Sequence, residues 1–236
     1  MTTLDTYLSR YFITQAELAA RCDLSGDELA RLIERKLVTS PSYTVSRSMI
    51  TSRVFGSLRS DGAREGSYFH PASVAWVKRA VAVVGHVGER EALDTLRVGF
   101  AHNFSAALRE LNSTVWGLPD CVGKDGEVLA AGMLARVESA WSHHLHGTFG
   151  LCVANPASEA AIARKEIVQE KLSSLSEKGA KMSFSRAEAP LLLELIDEYA
   201  GLAMPFSPVD FPLSSRRRLV TDLRPRVLAE LGGGRP

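Results

Sequence analysis

The chain has 236 residues, of which 45% are hydrophobic and 23% are charged, and its formal net charge is +1. This length and composition are typical of one sizeable globular domain with a small additional unit, and they argue against a chain that is disordered throughout. A nearly neutral chain also lacks the basic excess that bulk binding to nucleic acid or to a membrane surface requires.

Cysteine usage and apolar runs indicate the compartment. Three widely spaced cysteines, Cys22, Cys121 and Cys152, favour a reducing environment, so the sequence predicts a cytoplasmic protein. The first residues lack the basic and apolar stretches of a secretory signal, so none is expected. No apolar run reaches the roughly 18 residues that a membrane span needs, so we expect no membrane association.

Hydrophobic spacing predicts helices along most of the chain. The clearest pattern covers residues 88–112, where apolar side chains recur three or four positions apart. A second pattern covers 127–146, and Gly147 is a natural C-terminal stop for it. Further helices are predicted at 3–11, 14–22, 26–37, 71–84, 156–177, 185–203 and 221–231.

These helices predict an all-α fold class, with a small N-terminal unit followed by a larger helical bundle. We divide the chain into a helix-turn-helix-like unit, a linker or small hairpin, a helical bundle domain and a flexible tail, at residues 1–40, 41–70, 71–231 and 232–236. Residues 41–70 are rich in Ser, Gly and Arg, and a short hairpin is expected to pair 43–45 with 67–69.

The N-terminal unit contains two predicted short helices joined by a turn. Ser25 is the expected N-cap of the second helix, with Glu28 as its capping-box partner. The run Ile13–Cys22 and the later Val38 resemble the opening of MerR-type or excisionase-type helix-turn-helix units, over about 30 residues. Asp27 and Glu28 occupy the end that would face DNA, so we do not expect nucleic-acid binding. The alternative is a helical hairpin used for packing or dimerisation.

The run Trp141–Cys152 holds half of the six histidines. On a helix, His143 and His146 lie about 60° apart, away from the apolar side that Trp141 and His144 share. No Cys-x-x-Cys or His-Glu-x-x-His pattern is present, so no metal is expected. The candidate catalytic acid–base residues are His143, His146, His102 and Glu166. Alternatively, the histidines complement the negative end of a helix dipole.

A second unusual run, residues 204–218, combines three prolines with serines and arginines. The prolines forbid regular helix, so an ordered irregular loop is expected before a helix that begins near Ser214. Free N–H groups, hydroxyls and guanidinium groups at that helix start can bind an anion. The candidate anion- or substrate-binding residues are Ser214, Ser215, Arg216, Arg217, Trp141 and Cys152. The alternatives are an ordinary N-cap with surface arginines, and Cys152 as a nucleophile or a small buried residue.

The runs Trp141–Cys152 and Met204–Arg216 resemble an uncharacterised actinobacterial family that is labelled as natural-product biosynthesis proteins, a domain of unknown function. The resemblance implies a role in making a specialised metabolite. A narrower implication is the closure of an aziridine ring, in which an amine displaces a neighbouring sulfate ester on an amino acid that a carrier protein holds. His143, His146 or His102 would take the proton, and Ser214, Ser215, Arg216 and Arg217 would hold the departing sulfate.

That resemblance implies no cofactor, a small-molecule or carrier-protein-bound substrate, and a possible second protein subunit. Two alternatives from other classes stay open. The first is a DNA-binding regulator of a biosynthetic cluster, whose head would be residues 13–38. The second is a non-catalytic partner subunit of a biosynthetic enzyme, which an exposed apolar stripe along 88–112 or 185–203 would favour.

Overall fold

The computed structural model describes residues 3–60 and 62–232. Within these ranges the chain forms ten α-helices and one five-stranded antiparallel sheet. The predicted all-α fold class is therefore wrong, and the fold is mixed α and β. Four of its five strands lie in the segment for which a linker or a small hairpin is predicted, and the fifth, Ile13–Thr14, lies in the N-terminal unit.

The helices, numbered in chain order, have bounds close to those that the hydrophobic spacing predicts. They are α1 (Leu4–Tyr11), α2 (Gln15–Arg21), α3 (Gly26–Glu34), α4 (Ser73–Val87), α5 (Glu89–Thr114), α6 (Ala130–Leu145), α7 (Phe149–Cys152), α8 (Glu159–Leu175), α9 (Ala189–Leu202) and α10 (Leu223–Gly232). None of the helices among the described residues is long and apolar enough to span a bilayer.

The strands are short and pair out of chain order. They are β1 (Ile13–Thr14), β2 (Tyr43–Ser46), β3 (Met49–Ser52), β4 (Gly56–Arg59) and β5 (Gly66–Phe69), in the sheet order β1-β5-β2-β3-β4. The predicted pairing of 43–45 with the segment near 68 is confirmed, because Tyr43 lies opposite Tyr68. In the sequence, the β3–β4 hairpin lies between β2 and β5, although β2 and β5 are neighbours in the sheet. Inward side chains alternate with outward ones in β2 and β3, as the period of a half-buried strand requires.

Capping boxes fix the N-terminal helices. Thr14 and Glu17 exchange hydrogen bonds at the start of α2, and Ser25 and Glu28 do so at the start of α3, as predicted for Ser25. β1 directly precedes α2 and pairs with β5. The N-terminal helices are thereby attached to the sheet.

The helical core is built around α5, whose stripe is confirmed by the burial of Phe100, Phe104 and Leu108. These side chains pack with residues of α6 and α8, including Val137 and Ile162. Helices α9 and α10 form a second layer against the other side of α8. Helix α8 is therefore flanked on both sides, and its Lys165 is buried between helical layers.

An irregular segment follows α9, as the prolines predict. Its Asp210 is 1% exposed and accepts hydrogen bonds from the Tyr43 hydroxyl of β2 and from Ser207 Oγ, the latter at 2.7 Å. This buried network joins the sheet to the C-terminal part of the chain. The predicted flexible tail, 232–236, lies outside the described residues except for Gly232, which ends α10.

Candidate functional site

Glu166 of α8 lines two cavities. The smaller has a volume of about 110 Å³, and its polar lining is formed by Arg136, Ser139, His143 and Glu166. The larger, which we call the α8 cleft, has a volume of about 400 Å³ and is lined by Glu166 together with Trp116, Gln169, Glu170, Ser173, Lys178 and Arg218. Small-molecule sites are commonly clefts of this size with a few polar groups, so Glu166 marks a candidate site.

The residue before Glu166 is a buried lysine that contacts the Glu166 carboxylate. The side chain of Lys165 is 3% exposed, and its Nζ lies 2.9 Å from Glu166 Oε1. Burial alone would lower the pKa of Lys165, but electrostatic interactions with its neighbours, Cys152 first and then Glu166, outweigh burial and raise it above its usual value. Burying an ammonium group is expensive, and a well-packed apolar residue would cost less. A buried charge beside a cleft is therefore a functional candidate.

Three further polar groups continue this cluster toward α9. The Tyr199 hydroxyl donates to Gln169 Oε1 at 3.2 Å and lies 2.7 Å from Ser215 Oγ. Burial raises the pKa of Tyr199, although Lys165 opposes the increase. Tyr199 therefore stays a neutral hydroxyl that connects the cleft residue Gln169 to Ser215, at the start of the helical segment after Ser214.

Cys152 lies at the end of α7 beside Lys165. Burial raises the pKa of the Cys152 thiol, and the nearby Lys165 lowers it by less. A thiol that stays protonated at neutral pH is a poor nucleophile. The geometry thus favours Cys152 as a hydrogen-bonding neighbour of Lys165.

The predicted histidines are not brought together. His143 is exposed on the last turn of α6 and lines the smaller cavity with Glu166. His146 caps α6, with its Nδ1 3.5 Å from Ser142 Oγ, and His102 is exposed on α5; neither lines either cavity. His144 points into the core, as its helical position predicts, and stacks on Trp141 with ring centroids 5.6 Å apart.

The predicted anion-binding residues make hydrogen bonds within the protein. Ser214 Oγ accepts from the backbone N–H of Arg217, which is the predicted N-cap contact. Arg216 donates to the carbonyls of Ala200 and Ala203 at the end of α9, both at 2.8 Å. Arg217 lies 3.7 Å from the carboxylate of Asp222. With Ser215 bound to Tyr199, these contacts correspond to the alternative of an ordinary helix start with paired arginines.

Sequence reasoning misses the buried Lys165 and two residues of the cleft. Lys165 belongs to a charged run, and such a run usually forms a solvated face. Lys165 nevertheless follows Ile162 by three positions and precedes Val168 by three, on a buried side of α8, and that spacing is the available signal. No pattern in the sequence connects Lys178 and Arg218 to Glu166, because the three lie on segments that only the fold brings together.

A metal centre needs several ligand side chains in one place. Among residues 3–60 and 62–232, no group of three or more His, Cys, Asp or Glu side chains is arranged to hold a metal ion. All three cysteines are free thiols.

Replacing Lys165 with Met should lower the free energy of unfolding by about 2 kcal/mol, because the raised pKa of Lys165 means that its neighbours stabilise the ammonium by more than burial destabilises it. Glu166 keeps water access, with 40% of its side chain exposed, so the loss of its partner leaves no fully buried carboxylate and the loss of stability stays moderate. Urea unfolding followed by circular dichroism measures the change. Lys171→Met is the matched control on α8, because Lys171 donates to the Val115 carbonyl, and it should cost less stability. Unchanged or increased stability in Lys165→Met would mean that the buried ammonium does not stabilise the fold.

Comparisons with known proteins extend these observations. Residues 96–228, more than half of the chain, match a family of unknown function, DUF6058. Neither the curated proteins nor the solved structures gave a significant match. The matched segment includes the cluster around Glu166 and both cavities. The chain belongs to the family of unknown function DUF6058.

Proposed function

We propose that the α8 cleft binds a small polar molecule and that Glu166 accepts a proton from it. The observation that carries this proposal is the buried ammonium of Lys165, held 2.9 Å from a carboxylate that lines two cavities. The hydrogen bond from Lys165 orients the Glu166 carboxylate. A fixed carboxylate with an open side is suited to act as a general base.

His143 supports an acid–base assignment. It lines the smaller cavity together with Glu166, and an imidazole is the side chain that most often transfers protons in enzymes. The ring of His143 packs edge-on against Phe149, with centroids 6.2 Å apart, which limits its orientations. His143 and Glu166 are the two predicted catalytic residues that the fold brings to one cavity.

Natural-product biosynthesis is the proposed setting, and its support is the resemblance carried by Trp141–Cys152 and Met204–Arg216. Three free cysteines support a cytoplasmic location. A carrier-bound substrate and a second protein subunit belong to the same proposal. For the narrower reaction, aziridine closure, His143 and Glu166 are available as bases, whereas Ser214 and Arg216 are engaged within the protein.

The contacts of α3 do not favour the rival proposal of a DNA-binding regulator. Arg31 of this helix and Arg35, its C-cap, both form ion pairs with Glu89 of α5. The N-terminal turn of α3 carries Asp27 and Glu28. A helix that reads DNA needs positive charge facing the phosphates, so this surface does not suit that role.

Blocking the cleft should abolish ligand binding. Ser173→Trp places an indole in the α8 cleft, whereas Ala160→Trp places one on an exposed position of the same helix. We expect saturation-transfer NMR with a library of amino acids, hydroxy acids and their sulfate or phosphate esters to find ligands of the wild type. These ligands should be retained by Ala160→Trp and lost by Ser173→Trp. Equal binding to both variants would place the site elsewhere.

The base assignment has its own test. Once the NMR screen has identified a ligand, the Glu166→Gln variant should still bind that ligand, because the amide keeps the shape of the carboxylate. Turnover followed by mass spectrometry should fall about 100-fold or more, as is typical for loss of a general base. Unchanged turnover in Glu166→Gln would remove Glu166 from the mechanism.

A further inference from the structure

We propose that the outer end of the α8 cleft binds an anionic group, a carboxylate, phosphate or sulfate, between Lys178 and Arg218. The inference rests on the proposed function, since it names the chemistry of the molecule that the same cleft would hold. It replaces the predicted clamp at Ser214–Arg217 with two cations on different segments. Lys178 follows the end of α8, and Arg218 lies in a short π-helical segment, Arg217–Thr221.

Two cations that line the cleft have no partner among the described residues. Of the carboxylates that line the cleft, Glu166 is paired with Lys165 at 2.9 Å, and Glu170 shares Arg136, at 3.2 Å, with Asp120. The side chains of Lys178 and Arg218 form no ion pair or hydrogen bond with any residue in 3–60 or 62–232. The cleft therefore offers two unpaired cationic side chains, and an anion is their natural partner.

The backbone that carries these two cations is held rigidly. Ser176 Oγ accepts from the backbone N–H of Gly179 at 3.0 Å, and Arg226 donates to the Gly179 carbonyl at 2.8 Å. Gly179 packs closely on Arg218, because a Cβ at Gly179 would lie 2.8 Å from Arg218 Cγ and 3.1 Å from its carbonyl oxygen. The loop and the π-helical segment are thus held against each other. A loop that is already ordered loses less entropy when a ligand binds.

The same backbone adopts unusual conformations. Glu177 and Lys178 are non-glycine residues in the left-handed region, with φ of 52° and 58°. Each such residue costs about 1–3 kcal/mol and persists where its surroundings hold it. The π-helical segment that bears Arg218 belongs to a class that recurs at functional sites. Lys178 thus lies in the left-handed turn, and Arg218 lies in the π-helical segment.

The other residues that line the cleft indicate which groups the rest of the ligand would carry. Trp116 gives one wall an aromatic surface, while Ser173 and Gln169 supply a hydroxyl and an amide. An anion held at Lys178 and Arg218 would leave the remainder of a small molecule directed along α8 toward Glu166. The expected ligand therefore has an anionic end and a compact polar body that carries the proton Glu166 would accept.

Titration of the full chain with simple anions tests the site. Sodium phosphate, sulfate and acetate are added at constant ionic strength, balanced with chloride, and binding is followed by amide chemical shifts in two-dimensional NMR. We expect saturable shifts around Lys178 and Arg218. Lys178→Gln and Arg218→Gln should each weaken binding by about tenfold. Arg217→Gln is the matched control, an exposed neighbour that is paired with Asp222 and does not line the cleft, and its affinity should match wild type.

The outcomes separate the anion site from the proposed function. No saturable shift beyond that of chloride in the wild type would overturn the anion site. Equal weakening in Arg217→Gln would also overturn it, since the effect would then be one of general surface charge. Glu166→Gln should keep anion binding. If Glu166→Gln kept full turnover while Lys178→Gln and Arg218→Gln lost the anions, the anion site would stand and the role of Glu166 would fall.

Discussion

Acidification from pH 7 to pH 4 is expected to lower the free energy of unfolding by about 6 kcal/mol through two buried histidines, about 3 kcal/mol from each. Burial lowers the pKa of His144 to about 3, with the Arg79 guanidinium adding to the effect, and burial lowers the pKa of His70 to about 4. Both are therefore neutral in the folded state at pH values where the unfolded chain, with an ordinary pKa of about 6.5, is protonated. The stability they contribute is present above about pH 6.5 and is lost as pH falls toward 4.

His144→Phe is expected to remove about half of this pH dependence. The His144 ring already packs among aromatic rings, 4.3 Å from Trp76 and 5.2 Å from Phe100 between centroids, so a phenyl ring suits the site. Urea unfolding at pH 7, 6, 5 and 4 measures the profile. His102→Gln, which removes an exposed imidazole on α5, is the control. A His144→Phe profile parallel to wild type would mean that His144 does not resist protonation in the folded protein.

Gly147→Ala is expected to destabilise the protein by about 3–5 kcal/mol, which is near the upper end of what a single added methyl group does. Gly147 follows the C-cap of α6 with a φ of 69°, which side chains rarely adopt. A Cβ at Gly147 would also lie 2.4 Å from the carbonyl oxygen of Ser40. That backbone cannot easily move away, because Ser40 N–H donates to the Leu145 carbonyl at 2.8 Å.

Gly126→Ala separates the two causes. Gly126 has a φ of 84°, and no atom lies within 4 Å of the position that an added methyl group would take, so only the conformational cost of about 1 kcal/mol applies. Thermal and urea unfolding of both variants give the difference. Similar losses in the two variants would show that the contact between α6 and the segment before β2 relaxes without cost.

The helices could be predicted because their signals are local. Spacing on α5, the capping box of Ser25 and the stop at Gly147 each act within a few residues, and the structure confirms them. The sheet depends on pairing between distant segments, such as Ile13 with Phe69. Its strands have two to four residues, and β4 has no fully buried side chain, so alternation is weak. Ser, Gly and Arg in such short strands look like loop.

The candidate site was predictable only in part, for a related reason. His143, Glu166, Ser215 and Cys152 stand out by residue type, and the structure places all four near α8. Lys165 carries the proposal, but a lysine in a helix is usually solvated, and its partner Cys152 is 13 positions earlier on another helix. Arg218 could not be predicted either, because its place beside the cleft depends on its packing against Gly179, which is distant in the sequence.

The buried hydrogen bond from Tyr43 to Asp210 joins the part of the chain that matches the family to a part that lies outside the match. Residues 96–228 match the family, yet their Asp210 has its donor in β2, and Pro156 accepts at 2.7 Å from the Trp76 indole of α4. Leu151 and Met204 are covered by α1 and the sheet. An excised 96–228 fragment would expose these apolar side chains and leave a carboxylate without its tyrosine. The N-terminal part therefore covers apolar side chains and supplies hydrogen-bond donors that the family segment needs in order to fold.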